Sequence, residues 1–213
     1  MATTSELKVG RTTVKVSNLE KVFYPKTGFT KGDVIDYYIK ISPVLLPQLK
    51  NRPITLKRYP DGVDGEPFFE KNAPMHKPDW VKTVPVWSGR NRRTVNYVLA
   101  NDMATLVWLA NLAALELHPS LALGTDIECP TEMVFDLDPG PPANIVQCCQ
   151  VALWLHEIFE HFGLQSFPRR QGRRDCSSMF RSTRRRLTTQ RSFSRMRWRN
   201  CWSMSILIWC CRR

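Results

Sequence analysis

The seven cysteines (Cys129, Cys148, Cys149, Cys176, Cys201, Cys210 and Cys211) form no C-x-x-C and no Cys/His set at zinc spacing. That argues against a structural zinc site or a thioredoxin-type redox pair. His156 and His161 stand five apart on a predicted helix, a spacing that does not bring two side chains onto one face for chelation. No apolar run reaches the roughly 20 residues of a membrane span. The opening M-A-T-T-S-E-L-K is polar and lacks the apolar segment of a secretory signal. There is no internal repeat. These absences point to a protein of a reduced, cytoplasmic compartment, of one domain or a domain with a tail.

Positive charge is also missing from most of the chain. The formal net charge is +12, yet residues 1–168 hold 17 Lys+Arg against 18 Asp+Glu. Residues 169–213 hold 14 Arg, no Lys and one acid, Asp175. This segment also carries four of the seven Cys, three of the seven Trp and a single glycine, Gly172. It has neither a 3.6-residue nor a 2-residue apolar period. A basic arm that binds nucleic acid would mix Lys with Arg and be poor in Trp and Cys. The composition resembles a GC-rich gene translated in a shifted frame. The expectation is a folded part, residues 1–168, and a disordered arginine-rich tail, 169–213.

Within the first part, Thr12 to Val16 reads as β-like. Thr30, with Asp33 three residues on, forms an approximate capping box before Val34, Ile35, Tyr38, Ile41 and Leu45 at helical spacing. Pro43 should kink or shorten that helix. R-P-I-T-L-K-R-Y-P (52–60) is extended, D-G-V-D-G-E-P (61–67) is a loop, and F-F-E-K-N (68–72) is a strand. Val81 to Trp87 and V-N-Y-V-L-A (95–100) suit a hairpin around the polar loop 88–94. Asn101 or Asp102 caps a helix predicted to run to about Leu117, followed by a loop over 119–130. A further helix spans about Asn144 to Phe162, with Gly163 beyond its end, and Leu164 to Pro168 begins another strand.

The stretch T-E-M-V-F-D-L-D-P-G (131–140) carries the chemistry. As a strand over Glu132 to Leu137, it alternates faces. Val134, Asp136 and Asp138 share one side, and Met133, Phe135 and Leu137 the other. Two carboxylates leaving an apolar strand in one direction suit a divalent cation with oxygen ligands, and hence phosphoryl or nucleotidyl transfer. The alternative is a strand end whose aspartates cap the turn before Pro139-Gly140.

Taken together, S-N-L-E-K-V-F-Y-P (17–25), T-K-G-D-V-I-D-Y-Y (30–38), R-P-I-T-L-K-R-Y-P-D-G-V (52–63), F-F-E-K (68–71), A-A-L-E-L-H-P (113–119) and M-V-F-D-L-D-P-G (133–140) resemble the polymerase domain of bacterial DNA ligase D. That domain is a member of the archaeo-eukaryotic primase superfamily that serves non-homologous end joining. The resemblance covers about Leu19 to Pro168. It implies an α/β (α+β) primase-like mixed sheet with flanking helices, incomplete here. It implies template-directed nucleotidyl transfer with Mg²⁺ or Mn²⁺ and nucleoside triphosphates, and DNA ends, Ku and a ligase domain as partners in the bacterial nucleoid.

Residue by residue, the resemblance gives Asp136 and Asp138 the metal-binding, catalytic role, and Lys21 and Lys31 the 5′-phosphate of a DNA end. Phe68 and Phe69 match an aromatic pair that stacks on template base and nucleotide, and strand geometry puts at least one of them in the core. His118 matches a nucleotide-pocket histidine. Arg90, Arg92 and Arg93 fall in a loop that aligns DNA ends. Two family elements have no counterpart: the S-G-x-x-G-L-[HQ] triphosphate turn and a third metal-binding Asp. Residues 168–178 read P-R-R-Q-G-R-R-D-C-S-S instead, and codons for Arg170 to Cys176 read one frame over can spell S-G-x-K-G-L-Q. A frameshift near Pro168 to Arg170 is the expectation, with polymerase activity lost. Two other readings stay open: a non-catalytic fragment that binds 5′-phosphorylated ends, and a haloacid-dehalogenase-type phosphatase, whose D-x-D normally continues G-T.

Overall fold

The structure is a computed structural model that describes residues 3–89, 91–171, 175–181 and 205–208. It is a mixed α/β protein with antiparallel sheets and divides into two compact units, Met1–Thr125 and Asp126–Arg213.

The first unit opens with a hairpin of β1 (Thr4–Val9) and β2 (Thr12–Ser17). Next come the short pair β3 (Val22–Tyr24) and β4 (Phe29–Thr30), and helix α1 (Lys31–Leu49). Thr30 caps α1 as predicted: its hydroxyl accepts from the Asp33 N–H at 3.2 Å, and the Asp33 carboxylate accepts from the Thr30 N–H at 2.8 Å. The helix runs unbroken through Pro43 and Pro47, correcting the expectation that Pro43 shortens it. Proline removes an N–H and so orphans the carbonyl four residues back. Here the Ser42 hydroxyl donates to that carbonyl, Ile39 O, at 2.8 Å.

A five-stranded sheet follows, built from β5 (Ile54–Arg58), β6 (Phe68–Glu70), β7 (Thr83–Ser88), β8 (Arg93–Val98) and β9 (Ala114–Pro119). Strand β5 pairs with β6, β8 and β9. The β7–β8 hairpin stands where predicted. Between β8 and β9 lies helix α2 (Met103–Asn111), capped by Asp102. Residues Ala104 to Ala110 are all buried, as a helix apolar on every side requires.

That helix ends six residues before the predicted limit at Leu117. Ala113 turns the chain with φ +59°, and A-L-E-L-H-P continues as β9 against β5. Its two-residue alternation, with Leu115 and Leu117 against the core and Glu116 and His118 outward, is a strand signal that the helical reading overrode. Strand β10 (Ala122–Leu123) lies in the span read as a loop. The core of the unit gathers Phe23, Ile35, Ile54, Leu56, Val98, Leu106 and Leu109, all at most 2% exposed.

The second unit holds β11 (Asp126–Pro130), β12 (Glu132–Asp138), helix α3 (Ile145–His161), β13 (Gln165–Gln171), β14 (Asp175–Arg181) and β15 (Ser205–Ile208). The sheet order is β13-β14-β12-β15, so β12 is paired on both edges. Helix α3 has a capping box at Asn144 and Gly163 at φ +67° beyond its end. It covers the apolar face of β12: Leu137 packs with Cys148 and Ala152, and Phe135 with Phe159.

Candidate functional site

In the first unit, backbone pairing brings two lysines together. Lys21 ends a turn, its N–H donating to Asn18 O at 3.0 Å, and the Lys31 N–H donates to Lys21 O at 2.8 Å. Residues ten apart in sequence are thus hydrogen-bonded neighbours, and Lys31 is also the first residue of α1. Both line a cavity of about 140 Å³ with Asn18, Phe23, Arg58 and Asn111 among its walls.

The three cations differ in how they are held. The Arg58 guanidinium donates from Nε to Leu112 O at 2.7 Å and from Nη1 to Glu70 Oε2 at 3.0 Å, and lies over the Phe68 ring at 5.2 Å. Lys21 pairs with Asp61 at 2.9 Å, both ends open to solvent. Lys31 is 6% exposed. Its ammonium reaches the Ser17 hydroxyl at 3.5 Å, and among the described residues no carboxylate pairs with it. Burial first, then Lys21 and Arg58, hold the Lys31 pKa down to about 8. A buried ammonium beside two more cations is an anion site by its electrostatics.

The opposite face of the same sheet carries a second cluster. Lys57 and Arg58 are consecutive in β5 and point to opposite sides. Cross-strand register sets Lys57 between Phe69 and Glu116, and Thr55 opposite His118. The Glu116 carboxylate takes Lys57 Nζ at 2.8 Å, the Tyr59 hydroxyl, and His118 Nε2 at 3.1 Å. The Lys57 and Tyr59 hydrogen bonds, in that order, bring its pKa down to about 2. The Phe69 ring meets His118 edge-on at 5.7 Å and Lys57 at 5.8 Å. Phe68 and Phe69 are 44% and 62% exposed. Neither is in the core, contrary to the sequence expectation, because β6 is only three residues long and pairs with β5 alone. Each ring sits by a cation instead: Arg58 on Phe68, Lys57 on Phe69.

Arg92 and Arg93 are exposed at the tip of the β7–β8 hairpin, Arg92 at φ +48°. Arg90 lies outside the described residues. Arg93 also lines a cleft of about 450 Å³ with Phe69, Lys71 and Asn91.

In the second unit, β12 alternates as its sequence predicts. Phe135 and Leu137 are buried under α3, Asp136 is half-buried and Asp138 exposed. Two carboxylates on one strand face are hard oxygen donors and fit Mg²⁺ or Mn²⁺ chemically. Among the described residues no group of three His, Cys, Asp or Glu is placed to hold a metal.

Sequence reasoning missed Arg58, Asn18, Asn111, Lys57, Tyr59 and Glu116. The signal for the β5 pair was present: K-R in an alternating strand sends one cation to each face.

Residues 30–195 match the family described as LigD, primase-polymerase domain, running past Pro168, where the resemblance read from sequence ends. The chain is 36% identical over 161 residues to the multifunctional non-homologous end joining protein LigD of Mycolicibacterium smegmatis, covering 75% of this chain and 21% of that protein. It is 37% identical over 160 residues to the bifunctional non-homologous end joining protein LigD of Bacillus subtilis, covering 75% and 25%. The chain thus spans a quarter or less of these relatives. The structure resembles the polymerase domain of Mycobacterium tuberculosis ligase D in complex with DNA, with TM-score 0.70 and 32% identity, over 80% of this chain and 62% of that one. These matches replace the phosphatase reading of D-x-D: the chain belongs to the LigD primase-polymerase family.

Proposed function

We propose that this chain recognises 5′-phosphorylated DNA ends, and that template-directed nucleotidyl transfer in end joining is the activity this recognition serves. The observation that supports the reading most is Lys31: a buried ammonium without a carboxylate partner among the described residues, beside Lys21 and Arg58 in one small cavity. A terminal phosphate carries about −1.5 to −2 charges and several acceptor oxygens, which matches three converging donors.

In this reading Lys21 and Lys31 hold the 5′-phosphate. Phe69, flanked by Lys57 and His118, offers an exposed ring for a base, and such stacking is worth about 1–3 kcal/mol per base. Glu116 holds Lys57 and His118 in place toward a nucleoside triphosphate. Arg92 and Arg93 at the hairpin tip engage the DNA end. Asp136 and Asp138 would hold Mg²⁺ or Mn²⁺, which when bound lowers the barrier to attack by a 3′-hydroxyl on the triphosphate. Ku and a ligase domain are partners by family analogy.

A second reading, end binding without synthesis, is favoured by the absence of S-G-x-x-G-L-[HQ] after β13. Loss of such charge stabilisation costs orders of magnitude in rate. Fluorescence anisotropy with matched 5′-phosphorylated and 5′-hydroxyl duplexes, alongside primer extension with Mn²⁺ and nucleoside triphosphates, tests both. The expected result is tighter binding of the phosphorylated end, lost in Lys21→Ala/Lys31→Ala, with extension near background. Equal affinity for both ends would overturn the proposal. Extension that Asp136→Asn and Asp138→Asn abolish would remove the non-catalytic reading.

A further inference from the structure

We propose that Asp61 is a resident counter-ion that an incoming 5′-phosphate must displace from Lys21, and that it thereby sets the affinity for phosphorylated ends. The inference rests on the phosphate-end reading above.

The three cations of the pocket are not equally available. Arg58 has a carbonyl, a carboxylate and an aromatic ring around its guanidinium. Lys31 is fixed by burial. Lys21 alone is tied to a partner that solvent also reaches: the Nζ–Oδ1 distance is 2.9 Å, with the side chains 42% and 75% exposed. Such a pair is weak and exchanges readily. A phosphomonoester near −2 outcompetes a single carboxylate for one ammonium by its larger charge.

Asp61 is not there by chance of a flexible side chain. Its loop is tied to β3 by the Val63 N–H, which donates to Phe23 O at 2.8 Å, and closed on itself by the Gly62 N–H, which donates to Tyr59 O at 3.0 Å. Gly62 sits at φ +82°, and a Cβ there would stand 2.8 Å from Phe23 O. A Cβ at Gly65 would stand 2.9 Å from the Asp61 Cβ, so Gly62 lets the loop approach β3 and Gly65 makes room for Asp61. Pro60, the residue before it, lines the cavity. The backbone therefore delivers an anion to the mouth of an anion site. Its consequence is a moderated affinity: Lys21 is pre-oriented when the pocket is empty, and Asp61 recovers it when an end leaves.

The test compares the full chain with Asp61→Asn, using 5′-phosphorylated and 5′-hydroxyl duplexes of one sequence. Asp64→Asn is the control, an exposed carboxylate of the same loop that measures the general effect of removing one negative charge. Asp61→Asn should tighten the phosphorylated end on the order of threefold, the size expected for releasing an exposed ion pair. It should also raise the phosphate-to-hydroxyl affinity ratio above that of Asp64→Asn. A ratio equal to the control's, or lower than the wild type's, overturns the role of Asp61 and leaves the phosphate pocket standing. A wild-type chain that binds both ends alike overturns the pocket and this inference together.

Discussion

The Lys31 N–H donates to the Lys21 carbonyl at 2.8 Å, so the backbone itself holds two ammonium-bearing residues side by side, one of them buried. A buried charge with no carboxylate partner among the described residues works against stability. Its pKa is held near 8, below the unfolded value, so the unfolded chain binds more protons between about pH 8 and 10.5. Stability should therefore rise with pH across that window. Affinity for a 5′-phosphorylated end should fall as pH rises above about 8, because the ammonium is the binding form. Lys31→Met should lose the preference for phosphorylated ends, stabilise the fold by about 1 kcal/mol and flatten the alkaline rise. Urea unfolding at pH 7.5 and 10, with anisotropy across the same range, checks this; a Met variant that is much less stable at neutral pH would contradict it.

At Glu116 folding favours the charged form instead, so stability again rises with pH, in an acid window. Its pKa, near 2 through bonds from Lys57 and Tyr59, is below the unfolded value. The stability it supplies is therefore complete above about pH 4.5 and is lost as pH falls toward 2. Its side chain is 41% exposed, so solvent screening limits the gain to about 1 kcal/mol or less. Glu116→Gln should unfold with a shallower acid dependence between pH 4.5 and 2. It should also weaken nucleoside-triphosphate binding while leaving the preference for 5′-phosphorylated ends intact, since Lys57 and Arg58 point to opposite faces. Acid titration by circular dichroism and nucleotide binding by calorimetry separate the two effects. Loss of end preference in this variant would show that the two faces are not independent.

Much of this was legible in the chain because the signals are local. Thr30 with Asp33, Asp102, Asn144 and Gly163 mark helix ends through hydrogen bonds or φ angles that their own neighbours complete. The alternation of Phe135 and Leu137 against Asp136 and Asp138 marks β12. What was not legible depended on partners far away in sequence. Glu116 becomes a hub only when β9 pairs with β5, and Arg58 joins the lysines only when β3 and β5 come together. The exposure of both Phe68 and Phe69 follows from how short β6 is, which pattern alone does not give. The helix expected to reach Leu117 failed at Ala113, where a left-handed residue that is not glycine turns the chain.

The passage of α1 through Pro43 yields the last prediction. Proline at 43 leaves the Ile39 carbonyl without its helical donor, and the Ser42 hydroxyl supplies one at 2.8 Å. Ser42 is itself buried, so Ser42→Ala leaves an acceptor with restricted access to water and should cost about 1 kcal/mol. In a Pro43→Ala background the residue 43 N–H can make the ordinary helical bond to Ile39 O, and the same Ser42→Ala change should cost measurably less. The difference between the two costs is the coupling energy of Ser42 with the proline gap, obtained from a double-mutant cycle in urea. Equal costs in both backgrounds would mean that Ser42 contributes only packing, and that α1 tolerates Pro43 for some other reason.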